Sequence, residues 1–354
     1  MSDAPLNCGS GGGATTYTGL RIASVFVIWV CSTLGSTFPI IAHRSSFVSL
    51  PHSVFEFAKY FGSGVIIATA FIHLLSPAID ELSSDCLGPA WKEYPYALAL
   101  ALISAFFIFT VELFAFRIGT AKLQKLGVRH DAHGHHAGGV LAHGPEGSPV
   151  PGPTAPVTPD VESIHLEKDS EASRTVKRVD DGGHVATVTD ENVMAQLIGV
   201  AILEFGVILH SVLIGLTLAV DEGFKVLFVV VVFHQTFEGL GIGSRLAYLE
   251  LPPKYRTVPV YAAFLYGITT PLGIAVGLGV RTTYNPGSTH ATAVSGILDA
   301  ISAGILMYTG FVELLAHEFL FSREMREAST GKLLYALSCV ILGCGLMALL
   351  GKWA

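Results

Sequence analysis

Eight separate stretches of this chain, each about as long as a bilayer's hydrocarbon is thick, carry almost no charge, and that leaves few ways for it to fold. Crossing ~30 Å of hydrocarbon takes roughly 17 to 25 residues of helix. Runs of that order lie at Ile22 to Ala42, Tyr60 to Ala78, Tyr94 to Phe116, Val193 to Val220, Val226 to Gly243, Val258 to Val280, Val294 to Ala316 and Leu333 to Leu350. Lipid offers backbone groups no water, so each N–H and C=O must pair inside its own segment. These runs are too long and too uniformly apolar for strands, and the prediction is an all-α integral membrane protein of eight transmembrane helices. Val193 to Val220 exceeds one crossing and is expected to tilt or to protrude into the loop before it.

Composition agrees, because 51% of the 354 residues are hydrophobic and only 14% are charged, where soluble domains carry about a quarter. The net charge of −7 says little, since the charges sit in loops; no nucleic-acid partner is expected, and the bilayer is. The first run has Arg21 as the only Lys or Arg before it and no A-x-A cleavage pattern after it, so it reads as a permanent span rather than a signal peptide.

Lys and Arg fix the expected orientation. Taken by alternate loops, sixteen of the 21 fall on one side, among them Arg44, Lys59, Arg245, Lys254 and Lys332, and five on the other: Arg21, Lys92, Lys225, Arg281 and Lys352. The richer side is expected in the cytosol, with both termini extracellular. Of five cysteines, Cys8 and Cys86 fall on the outer side, where a disulfide and two free thiols are equally compatible with the sequence. No Cys-x-x-Cys pair suggests a zinc finger.

Three parts follow: residues 1–117 with the first three helices, a cytosolic stretch 118–192, and residues 193–354 with the other five. The middle stretch is rich in His, Gly, Pro, Ser and Thr, and is expected to be largely disordered. It carries His130, His133, His135, His136 and His143. Such a tract suits loose capture of metal ions by neutral imidazoles, or is incidental.

Ionisable groups inside membrane helices cost about 2.5 to 3.5 kcal/mol each on insertion scales, so each one calls for a reason. Here they concentrate in two adjacent runs. LEFGVILHSVLIGL holds Glu204, His210 and Ser211, and VVVVFHQTFEGLGIG holds His234, Gln235 and Glu238. His234 and Glu238, four apart, share a helix face with Gln235 beside them. The short link from Asp221 to Lys225 makes the two helices antiparallel neighbours, so His210 is expected to meet His234 and Glu238. Imidazoles with carboxylates suit zinc, iron(II), manganese or cobalt, whereas copper(I) would want sulfur. Gly206, Gly215, Gly239, Gly241 and Gly243 permit close helix approach or sliding.

EFGVILHSVLIG and HQTFEG, the His-rich tract between the third and fourth runs, and eight spans with both ends outside together resemble the ZIP (Zrt-/Irt-like) family of zinc and iron transporters, in particular its fungal and plant plasma-membrane branch. The resemblance covers essentially the whole chain. It implies uptake of a divalent metal into the cytosol, most simply zinc with iron(II), manganese and cadmium as alternatives. His210, Ser211, His234, Gln235 and Glu238 occupy the family's transport-site positions. It also implies three helices, a central pair and three more helices, a 3+2+3 arrangement around helices four and five. Some members carry a second carboxylate four residues after the helix-four His, where this chain has Ile214, so a second metal lacks that ligand and Glu204 is the remaining compensating charge.

His73 in ATAFIHLL is expected to line the pathway, interhelical packing being the alternative. Glu313 in FVELLAHEFL is the strongest candidate for an exit site, ahead of His317 and Glu318. Glu112 lies near the cytosolic end of its run, and Asp299 near the outer end of the seventh, where attraction of cations and an interhelical bond are equally open.

A membrane metalloenzyme and a metal-sensing receptor are the competing functions. HEFLF lacks the second His of H-E-x-x-H, and no G-x-S-x-G nucleophile motif occurs. A sensor needs no ligand at the midplane. No phosphate-binding G-x-x-x-x-G-K-[ST] sequence exists, so transport draws on gradients and needs no cofactor. At an inside-negative 100 mV a divalent cation moving inward gains roughly 4.6 kcal/mol. The expected mode is alternating access, with helices four and five carrying the ion and the others forming an opposing wall on which a homodimer could assemble.

Overall fold

The computed structural model describes residues 8–9, 16–44, 51–125, 176–179, 185–188, 190–249 and 251–353. Within them are eight helices long and apolar enough to cross a membrane: α1 (Thr18–Arg44), α2 (Ser53–Leu82), α3 (Tyr96–Lys125), α4 (Asp190–Val220), α5 (Phe224–Ala247), α6 (Val258–Val280), α7 (Thr289–Phe321) and α8 (Thr330–Leu350). The fold is all-α apart from a small antiparallel hairpin, β1 (Val176–Val179) with β2 (Val185–Val188), in register Val176 to Val188. That hairpin lies in the stretch expected to be disordered. The His-rich segment, His130 to His143, lies outside the described residues.

Helix ends depart from the apolar runs for a simple reason: a helix needs apolar side chains only inside the hydrocarbon. α3 continues to Lys125 and α4 begins at Asp190, both within the stretch expected to be loop. At other ends the cap decides. Ser288 accepts from the amide of Ala291 to start α7, and Ser329 accepts from that of Lys332 to start α8, each such cap being worth about 1 kcal/mol. α2 and α7 also change winding, to π-helix over Thr69–Leu75 and Thr309–Phe321 respectively.

The side-chain distribution is that of a membrane protein. Leu34 of α1, Phe107 of α3 and Ile341 of α8 are more than 60% exposed, while His234, Gln235 and Glu238 of α5 are fully buried. Apolar surface outside and polar groups inside invert the soluble pattern.

Two sets of helices pack most closely. α1 lies along α5 and α6, and α4 lies along α6; α2 lies along α8, and α3 along α7. The two sets meet chiefly where α2 crosses α5 and where α4 crosses α7. α4 and α5, joined by their short link, touch each other but pack more closely on α6 and α1 respectively. Glycines set some of the approaches: a Cβ on Gly215 of α4 would come 2.5 Å from the carbonyl oxygen of Thr270 and 3.0 Å from Cα of Gly273, both on α6.

At one end of the bundle a Cys8–Cys86 disulfide, Cα atoms 5.4 Å apart, ties the N-terminal tail to the α2–α3 connection. Thr289 adds hydrogen bonds to the carbonyls of both cysteines, with its amide on Cys8 at 3.3 Å and its hydroxyl on Cys86 at 3.0 Å. Just inside that end, Arg21 is only 1% exposed. Its guanidinium donates to the carbonyls of Thr16 (2.8 Å), Leu218 (3.0 Å) and Asp221 (2.6 Å) and stands 4.5 Å from the ring centre of Phe224. The last carbonyls of a helix have no partner within it, and Arg21 supplies one for α4 while fixing the turn into α5.

Candidate metal site

The turn that Arg21 holds is also the ruler for the site. His210 stands ten residues before Val220, the last of α4, and His234 ten residues after Phe224, the first of α5. At 1.5 Å of rise per residue the two imidazoles sit at equal depth, ~15 Å from the turn. Their Nε2 atoms are 3.3 Å apart. Two imidazole nitrogens bound at ~2.05 Å to one tetrahedral ion would be separated by about 3.3 Å. Glu238, one helical turn beyond His234, puts Oε2 at 3.6 Å from His234 Nε2. The sequence expectation that these three side chains meet is what the geometry gives.

Apolar clusters lie on both sides of this point along the helices. Leu218, Phe224, Val231 and Ile274 pack together toward the disulfide end. Val207, Ile242, Tyr266 and Leu306 pack toward the other. Polar groups between two apolar layers keep their charge unscreened.

The neighbours are less uniform. The amide nitrogen of Gln235 donates to the hydroxyl of Thr270 on α6, 2.5 Å away, leaving Oε1 without a partner. Ser211 is fully buried with its hydroxyl unpartnered. Glu204 is 6% exposed, and neither of its oxygens has a hydrogen-bond partner. His73 of α2 stacks edge-on against His234, ring centres 4.8 Å apart, with Nε2 engaged by the carbonyl of Met347 at 3.0 Å. It therefore abuts the site with one ring nitrogen already committed.

Glu313 stands apart. It lies in the π-helical part of α7 toward the end away from the disulfide, buried, with both carboxylate oxygens unpartnered. Its backbone carbonyl accepts from Arg245 Nη2 at 2.9 Å. Arg245 Nη1 reaches Glu318 Oε1 at 2.9 Å, and Glu318 also pairs with Lys59 of α2. Glu112 of α3 accepts from the hydroxyl of Tyr308 at 2.6 Å, an interhelical bond rather than a free charge.

Three residues matter more than the sequence indicated. The Tyr266 hydroxyl donates to the carbonyl of Gln235 at 2.8 Å and reaches Glu238 Oε2 at 3.3 Å, and Thr270 holds Gln235. The signal available was the polar interruption YGITT, with Tyr266 and Thr270 one turn apart, inside an apolar run. Asp299 is 6% exposed and its Oδ1 lies 3.8 Å from His210 Nδ1, beside the site rather than at an outer mouth. Among the described residues no three His, Cys, Asp or Glu side chains form a ready coordination sphere. What stands here is a pair of imidazoles in hydrogen-bonding contact, with carboxylates alongside and several buried oxygens without partners. Buried polar atoms normally have partners, and such a concentration of free acceptors suits a cation.

The comparisons with known proteins agree with that chemistry. The family model described as ZIP Zinc transporter matches residues 18–351. The chain is 41% identical over 376 residues to Zinc-regulated transporter 1 of Schizosaccharomyces pombe, covering 100% of this chain and 90% of that one. It is 42% identical over 343 residues to Zinc-regulated transporter 1 of Saccharomyces cerevisiae, covering 95% and 88%. A more distant relative is Fe(2+) transport protein 1 of Arabidopsis thaliana, 30% identical over 365 residues, covering 100% and 92%. With eight membrane-spanning helices and this match along nearly its whole length, the chain belongs to the ZIP zinc transporter family, a family of transporters and not of enzymes.

Proposed function

We propose that this protein carries zinc inward across the plasma membrane by alternating access, with the ion held between His210 and His234 and its charge balanced by Glu238 and Glu204. The observation that carries the reading is the 3.3 Å between the two Nε2 atoms, the spacing a tetrahedral ion would require. Two carboxylates neutralise a divalent cation that lipid would otherwise exclude. The names of the relatives point to zinc, and the iron(II) transporter among them is reason to test iron, manganese and cadmium as competing substrates.

Packing supports a moving part and a fixed one. α1, α4, α5 and α6 form the carrier, with His210 and His234 at its edge; α2, α3, α7 and α8 form the wall, which faces them with His73 and Asp299. The contact pattern supports the 3+2+3 arrangement. Exchanging α1 with α6, α2 with α7, α3 with α8 and α4 with α5 maps the principal contacts onto one another, α1–α5 onto α6–α4 and α2–α8 onto α7–α3. α2 and α7, partners in that exchange, are also the two helices with π-helical stretches. The disulfide end is extracellular and the Arg245 end cytosolic, by the distribution of Lys and Arg. A homodimer would form on the wall, where α3 and α8 turn large apolar side chains outward.

Uptake of radiolabelled zinc by cells without uptake of their own tests the reading. His210→Ala, His234→Ala and Glu238→Ala should each abolish flux while the protein stays at the surface. Flux retained in all three would overturn it.

A further inference from the structure

Among the described residues, Asp299 is the carboxylate that approaches a site imidazole from the opposite set of helices. It stands on α7, in the wall, and its Oδ1 lies 3.8 Å from Nδ1 of His210 on α4, in the carrier. The side chain is 6% exposed, and that oxygen makes no hydrogen bond. His210 is 4% exposed and points its other nitrogen, Nε2, at His234. An imidazole has two nitrogens, and a hydrogen bond made at one fixes the tautomer that leaves the other free for a metal. A carboxylate behind the ring does this and makes the ligating nitrogen more basic.

We infer that Asp299 is a positioning residue for zinc: its carboxylate, 3.8 Å behind the ring, favours by its charge the His210 tautomer with the proton on Nδ1, aims Nε2 at the ion, and does so only while α7 lies beside α4. This rests on the alternating-access reading above. In that reading the carrier shifts against the wall, so the carboxylate and the ring part company when the site turns to the other face. Affinity is then high with Asp299 in place and falls when it is left behind, and release needs no change in the ligands themselves. The energetic logic is that of a ligand whose affinity differs between two states of its site. Asp299 touches no metal in this account and acts through His210 alone.

Zinc uptake kinetics of the full chain test it, in cells and in reconstituted vesicles sorted by orientation. Asp299→Asn should raise KM for zinc about tenfold, the lower end of what loss of a residue behind a metal ligand costs, with surface amount and maximal rate kept. Asp299→Glu should recover most of the affinity, since the gap of 3.8 Å leaves room for a longer side chain. The rise should appear for zinc presented to one face of the membrane and not the other. An unmoved KM, a fall in maximal rate alone, equal effects at both faces, or equal damage from Asn and Glu would overturn the inference. Loss of flux in His210→Ala beside an unmoved KM in Asp299→Asn would overturn this inference only; flux retained in His210→Ala would overturn the parent reading and this one with it.

Discussion

Arg245 of α5 and Glu318 of α7 form an ion pair of 2.9 Å between Nη1 and Oε1, joining the two helix sets at the end of the bundle away from the disulfide. Both side chains are largely shielded, 21% and 15% exposed. Lys59 of α2 shares the same carboxylate, so removing Glu318 strands two cations. Breaking a shielded pair at one partner costs about 3 to 5 kcal/mol, since the other charge stays behind. Glu318→Gln should therefore lower the thermal midpoint of the purified protein markedly. The exchanged pair Arg245→Glu with Glu318→Arg should recover part of it; a midpoint unmoved by Glu318→Gln would show that the pair contributes nothing.

Arg21 couples stability to the site. Hydrogen bonds to a charged group are worth about 1.5 to 3 kcal/mol each, and Arg21 makes three to backbone carbonyls, two of them at the α4–α5 turn. Arg21→Ala should cost about 3 kcal/mol or more and also weaken zinc binding, because the turn sets the relative depth of His210 and His234. Arg21→Lys should rescue little, as one ammonium cannot span the same carbonyls. Calorimetric zinc titration beside a melting curve checks both, and normal affinity in a destabilised Arg21→Ala would break the coupling.

Gly215 and Gly279 make a matched pair of substitutions. A Cβ at Gly215 would stand 2.5 Å from the carbonyl of Thr270, while one at Gly279 meets nothing within 4 Å. Overpacking costs about 1 to 3 kcal/mol, so Gly215→Ala should lower the melting temperature and the yield of folded protein. Gly279→Ala should leave both unchanged. Equal behaviour of the two variants would contradict the close α4–α6 contact.

The Cys8–Cys86 bridge closes a sequence separation of 78 residues. Native disulfides contribute about 2 to 4 kcal/mol, so Cys86→Ser should melt earlier than the parent, and thiol labelling after reduction should find two more reactive cysteines in the parent. Equal labelling before and after reduction would show free thiols.

Much of this fold is legible because lipid forbids most alternatives: an apolar run of twenty residues has to be a helix, and α6 runs from Val258 to Val280 as read from the sequence. The end of α3 was not legible, because outside hydrocarbon the apolar pattern stops carrying information, whereas α4 ends at Val220 as read and extends into the preceding loop as its length led one to expect. At the site, His210, His234 and Glu238 could be assembled from spacing and a short turn. The hold that Thr270 of a third helix has on the amide nitrogen of Gln235 could not be read from spacing. Asp299 and Tyr266 belong to helices far along the chain, and only packing reveals that they reach His210 and Glu238. The π-helical turns carrying His73 and Glu313 have no composition of their own to announce them.

X-ray absorption at the zinc edge, on purified full-length protein loaded with one equivalent of zinc, addresses the imidazole pair itself. The prediction is a nitrogen and oxygen shell at ~2.0 to 2.1 Å, with outer-shell scattering from two imidazoles that falls to one in His234→Ala. A sulfur shell near 2.3 Å, or an imidazole count that His210→Ala and His234→Ala both leave unchanged, would contradict the claim that these two histidines hold the ion.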